Sequence, residues 1–77
     1  MMNRLDYVKC YDIHELEFER RELLNEIKWR KAAADKEFED GAYLASVDDL
    51  RRLSELVANL GWCEDRIKTL KTSGLIN

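Results

Sequence analysis

Seventy-seven residues allow one domain with a small core, at a size where oligomerisation often supplements stability. A net charge of −3 and a pI near 5.1 speak against a dedicated binder of the DNA backbone. No apolar run approaches the roughly 18 residues that cross a bilayer, and no signal-peptide pattern opens the chain. A cytoplasmic protein without membrane contact is therefore expected, with Cys10 and Cys63 as reduced thiols.

Residues 1–11 read in two ways. Asn3 and Asp6 are spaced to cap a helix that continues through Asp12, while the alternation of Leu5, Tyr7, Lys9 and Tyr11 suits a short extended arm. Helix is the preferred reading, since nothing between Arg4 and Tyr11 breaks it.

The dominant element spans Asp12 to Asp40. On a wheel of about 100° per residue, Ile13, Leu16, Leu23, Leu24, Ile27, Ala34 and Phe38 share one stripe. Asp12 and Glu15 stand at N-cap and N3 spacing, Gly41 follows as a stop, and the interior holds neither Pro nor Gly. Such a helix is about 40 Å long and needs a partner element to cover its apolar face.

Residues 41–45 form a connector short enough for antiparallel neighbours, with Tyr43 and Leu44 expected to close the end of the core. Ser46 and Asp49 predict the cap of a second helix running to about residue 72. Its apolar positions Leu53, Leu56, Leu60, Cys63, Ile67 and Leu70 recur with spacings 3, 4, 3, 4, 3, a heptad seam widened by Leu50 and Val57. Gly61 interrupts it, Gly74 reads as its stop, and Leu75-Ile76-Asn77 as a tail. Glu17–Arg21, Glu26–Arg30, Asp48–Arg52 and Glu64–Lys68 are spaced to pair along the helices with the acid first.

The predicted fold is all-α: an antiparallel two-helix hairpin that resembles a coiled coil. One hairpin covers only part of each stripe, so a homodimer is expected, two hairpins forming a four-helix bundle through Leu53, Leu56, Leu60, Ile67 and Leu70. The alternative is a three-helix monomer in which residues 3–11 fold back.

A second stripe lies opposite the core. Phe18 and Trp29 stand about 200° and 220° from Leu16, a helix extended backwards adds Tyr7 and Tyr11, and Trp62 lies about 180° from Leu53. Rings on a charged outer face suit a docking surface for another protein, because Trp, Tyr and Arg dominate interface hot spots. The candidate partner-binding set is Tyr11, Phe18, Glu22, Trp29, Arg30 and Trp62.

Other features carry less. Lys28, Arg30, Lys31 and Lys36 with Trp29 suit a nucleic acid, yet Glu19, Glu22, Glu26, Asp35 and Glu37 are interleaved, so nucleic acid is the weaker reading. Cys10 and His14 at i,i+4 lack two further ligands, so no metal or other cofactor is expected, and Cys63 reads as a small core residue. No phosphate loop, Ser/His/Asp set or HExxH-like spacing appears, and no catalytic residue is assigned.

Glu19-Arg20-Arg21-Glu22-Leu23, followed by Lys31, resembles the first-helix pattern of the all-helical chorismate mutases. That resemblance covers about a dozen residues and implies Arg20 and Lys31 holding a dicarboxylate inside a dimeric bundle. The chain departs from the family pattern in lacking its third helix and in residues 41–46. The preferred expectation is a non-catalytic protein-interaction module. In size, acidity and lack of catalytic apparatus it is similar in type to small phage- or mobile-element-encoded inhibitors, anti-CRISPR proteins among them. A nucleic-acid accessory protein and a small helical enzyme are the alternatives.

Overall fold

A computed structural model describes residues 3–72, and all their regular structure is helical: α1 (Arg4–Lys9), α2 (Ile13–Glu39) and α3 (Tyr43–Thr72). The expected stop at Gly74 and the 75–77 tail lie outside the described residues. The long helices pack antiparallel into a rod of 51 × 18 × 16 Å, and α1 lies against the far half of α3. No described helix is long and apolar enough to cross a membrane.

The first helix is short because Asp12 offers the backbone a better local bond than continued helix. Its side chain accepts from the His14 and Glu15 amides at 3.0 and 3.3 Å, starting α2 afresh. Asn3 and Asp6 cap α1 reciprocally, as their spacing suggests. The break turns α1 back over the hairpin, so the three-helix alternative describes the chain fold better than one helix from residue 3. It also parts Cys10 from His14, which a continuous helix would have stacked.

The turn between α2 and α3 is tighter than expected. Gly41 takes φ +82°, its amide bonds the Phe38 carbonyl at 3.2 Å, and the Ala42 amide bonds the Glu37 carbonyl at 2.8 Å. This pair of bonds is a Schellman end, satisfying the last carbonyls of α2. Ala42 is already the residue from which α3 departs, since its carbonyl accepts from the Ser46 amide. Ser46 is therefore not a cap. It is buried inside the first turns of α3, its hydroxyl donating to the Ala34 carbonyl at 3.0 Å. Tyr43 and Leu44 do not close the core either; both are exposed, and Tyr43 packs edge-on against Phe38 at 5.3 Å.

The core occupies the half of the rod away from this turn. Tyr7, Leu16, Leu23, Leu56, Cys63, Ile67 and Leu70 are buried together, with Ile13, Ile27, Leu60 and Trp62 against them. Large apolar side chains buried in this way each contribute about 1.5–3 kcal/mol. Nearer the turn, the small side chains of Ala34 and Ser46 let the helices close, and ion pairs replace apolar bulk. Arg30 reaches Asp49 at 2.8 Å, and Arg52 reaches Glu26 at 3.5 Å.

Three expectations change here. The seam does not face outward for a second hairpin: Leu56, Ile67 and Leu70 are spent against α1 and α2, and Leu53 and Leu60 are half-buried. Leu24 and Phe38 of the first stripe, with Leu50 and Val57 of the second, stay exposed instead. The cause is width, because two facing helices cover less than the arc that these residues occupy. Of the four expected pairs along the helices, Glu26–Arg30 forms at 3.2 Å, while Glu17 and Glu64 turn across to Lys71 and Arg20.

Candidate functional site

The outward face of α2 carries a stripe with its own helical spacing: Phe18, Glu22, Asn25 and Trp29, at i, i+4, i+7 and i+11. All four are exposed, Phe18 and Trp29 each at 55%. Phe18 and Trp29 stand about 16 Å apart along the axis, at 1.5 Å per residue. Tyr11, 69% exposed, stands in the turn before α2.

Each ring has an arginine against it. The guanidinium of Arg30 lies 4.8 Å from the Trp29 ring, that of Arg21 lies 6.0 Å from Phe18, and that of Arg66 lies 4.8 Å from Tyr11. Such stacking restrains the ring and its cation before any partner arrives, which lowers the ordering cost of binding. Arg30 is held further by Asp49 and Glu26, at 2.8 and 3.2 Å. Arg66 is fixed by the Cys10 carbonyl at 2.9 Å and so pins the α1–α2 turn to α3.

Trp62 does not join this surface. It is half-buried, packed against the core beneath α1, with Arg4 stacked over it at 5.7 Å. Tyr7, which a continuous helix would have placed on the outer stripe, is buried to 1% exposure. Folding back of α1 accounts for both corrections. Phe18, Glu22, Trp29 and Arg30 thus lie along α2, Tyr11 stands in the turn before it with its ring on Arg66 of α3, and Trp62 lies apart beneath α1. Arg66 was out of reach of sequence reasoning, because its link to Cys10 spans 56 positions. Asn25 was not, since its spacing from Phe18 and Trp29 places it between them.

Buried titratable groups lie elsewhere. Burial, then the charge of Glu19, pushes the Tyr7 phenol well above its ordinary range; the hydroxyl faces the Glu19 carboxylate but falls short of full hydrogen-bond geometry among the described residues. Burial pushes the Cys63 thiol up to about 11, and its Sγ donates to the Leu16 carbonyl at 3.2 Å. A thiol so protonated and enclosed is packing material, not a nucleophile. Among the described residues no cluster of His, Cys, Asp or Glu has the form of a metal site.

Arg20 and Lys31 lie on an open flank of the hairpin. Arg20 pairs with Glu64 at 3.6 Å, and Lys31 is exposed. They do not converge inside a closed pocket as the chorismate-mutase resemblance implies. Comparison with protein-family models, curated proteins and solved structures returns no match to this chain.

Proposed function

We propose that the chain is a non-catalytic protein-interaction module, whose docking surface is the outer face of α2 with Tyr11 at its end. One observation carries this reading: Phe18 and Trp29 are exposed on a helix whose opposite face is already packed, each with an arginine against its ring. Solvent-facing aromatics of this size leave apolar area unburied that a partner would cover, at about 25 cal/mol per Å². The rings suit apolar pockets on the partner, and the arginines suit acidic groups beside those pockets. In type this remains the reading of a small inhibitor of a host complex, of the phage- or mobile-element-encoded kind, acting in the cytoplasm. The reading includes self-association of two hairpins into a four-helix bundle.

Capture from a lysate of the native host, using wild type and Trp29→Ala side by side, tests the docking face. The variant should keep wild-type helicity and melting temperature while a specific partner is lost. Undiminished capture by both Trp29→Ala and Phe18→Ala would remove this face from the proposal. A nucleic-acid role would show instead as retention of a random oligonucleotide that falls steeply with salt.

A further inference from the structure

We infer that the open flank of the hairpin receives a second copy of this chain, laid antiparallel to the first. The inference rests on the interaction-module reading but uses a different surface from the aromatic stripe of α2. The antiparallel register set by Ala34 with Ser46 and Leu16 with Cys63 places Leu24 level with Leu56 and Val57, and Ile27 level with Leu53. Helical geometry then gathers exposed Leu24, Leu50, Val57 and Phe38 on one side of the rod, with half-buried Ile27 and Leu53 at the floor between the helices. The opposite side is closed by the Glu26–Arg52 pair and by α1, so among the described residues this flank presents the large apolar side chains of both long helices.

The charges at its two ends identify the occupant. Near the turn, the flank opens into a cleft lined by Asp35 and Glu39 beside Phe38 and Leu50, with exposed Lys31 one helical turn toward the middle of the flank. At the far end the lining among the described residues holds four cations, Arg20, Arg21, Lys68 and Lys71, against two acids, Glu17 and Glu64. A two-fold axis through the middle of the flank lays the acidic end of each copy on the basic end of the other, while the leucine strips meet at the centre. A parallel copy would set like on like. A rod 51 Å long and 18 Å wide offers a face on the scale of the roughly 800 Å² per partner that stable dimers bury. Gly61 adds a further sign: it is an exposed glycine inside α3, about 40° round the helix from Val57. A Cβ there would meet nothing within 4 Å among the described residues, so the backbone is bare to an approaching helix.

Sedimentation equilibrium across the micromolar to millimolar range tests this directly. Wild type should approach twice its 9.1 kDa mass, and Leu50→Glu should weaken dimerisation more than tenfold with helicity unchanged. Asp35→Lys with Glu39→Lys should weaken it too, and adding Lys68→Glu with Lys71→Glu to that variant should restore it, which only the antiparallel arrangement predicts. A wild-type chain that stays at 9.1 kDa throughout overturns the inference, as does charge reversal without effect. Trp29→Ala should leave the dimer intact, so loss of the dimer and loss of partner capture fail separately. A monomer whose Leu50→Glu variant loses partner capture would assign the flank to that partner instead.

Discussion

Arg30 reaches across the hairpin to Asp49, Nη1 to Oδ1 at 2.8 Å, while its guanidinium lies 4.8 Å from the Trp29 ring on the outer face. One side chain thus links the packing between helices to the proposed docking surface. The pair is half-buried, so its worth sits at the upper end of what surface pairs give, about 1 kcal/mol. A double-mutant cycle of Arg30→Met and Asp49→Asn in urea melts should return a coupling of that order. A coupling near zero would show that the pair positions Arg30 without stabilising the fold.

Asp49 has a second neighbour. One carboxylate oxygen of Glu37 is buried without a bond. The Asp49 carboxyl, to which a protonated Glu37 can donate, raises the Glu37 pKa above its ordinary 4.5, with burial and the charges of Asp49 and Asp48 adding to the rise. A raised value in the folded state means that the native chain binds a proton before the unfolded chain does. Glu37 therefore favours folding below its unfolded value and loses that contribution as pH climbs through its folded value. Glu37→Gln should raise the melting temperature at pH 7 and shrink the gain that wild type shows as pH falls toward 4.5. An identical pH profile for the two proteins would remove Glu37 from the account.

Tyr7 offers a cleaner case. Its ring fills the core, but its buried hydroxyl has only the Glu19 carboxylate facing it, short of full hydrogen-bond geometry, a costly arrangement for a polar group. Tyr7→Phe keeps the ring and discards that group, so stability should hold or rise by about 1 kcal/mol. Tyr7→Ala should cost about 3–5 kcal/mol, as for other large core aromatics, enough to unfold a domain this small. Chemical denaturation of the two variants separates the ring from its oxygen. A loss on Tyr7→Phe would mean that Glu19 holds the hydroxyl in a net favourable bond.

How much of this was legible beforehand follows from the range of each interaction. Local signals held: the Asp12 cap, the Gly41 stop and the burial of Leu16, Leu23, Leu56 and Cys63 all follow from spacings of a few residues. Signals that depend on which helix lies alongside did not. Leu24 and Leu50 stand at the margins of their apolar arcs, about 80° from Leu16 and about 60° from Leu53, and only the width of the actual partner decides that they stay exposed. The reassignment of Tyr7 and Trp62 came from one event, the break at Asp12 that folds α1 over α3. Periodicity is blind to such a break, because residues 4–9 and 13–39 are each good helix on either side of it. The exposed alignment of Phe18, Glu22 and Trp29 was legible because it needs only α2 itself.

Gly61 gives the last test and links stability to the open flank. A glycine inside an exposed helix costs about 1 kcal/mol relative to alanine, since it loses more backbone freedom on folding. Here an added Cβ would meet nothing within 4 Å among the described residues, so nothing steric offsets that cost. Within one chain, Gly61→Ala should therefore raise stability by about 1 kcal/mol, read as a shifted urea midpoint at unchanged slope. A bulkier Gly61→Trp should be tolerated by the hairpin, with helicity preserved, yet hold a second copy away from α3. If the alanine variant is no more stable, some contact already occupies the space beside residue 61. If the tryptophan variant sediments like wild type, close approach at this position plays no part in self-association.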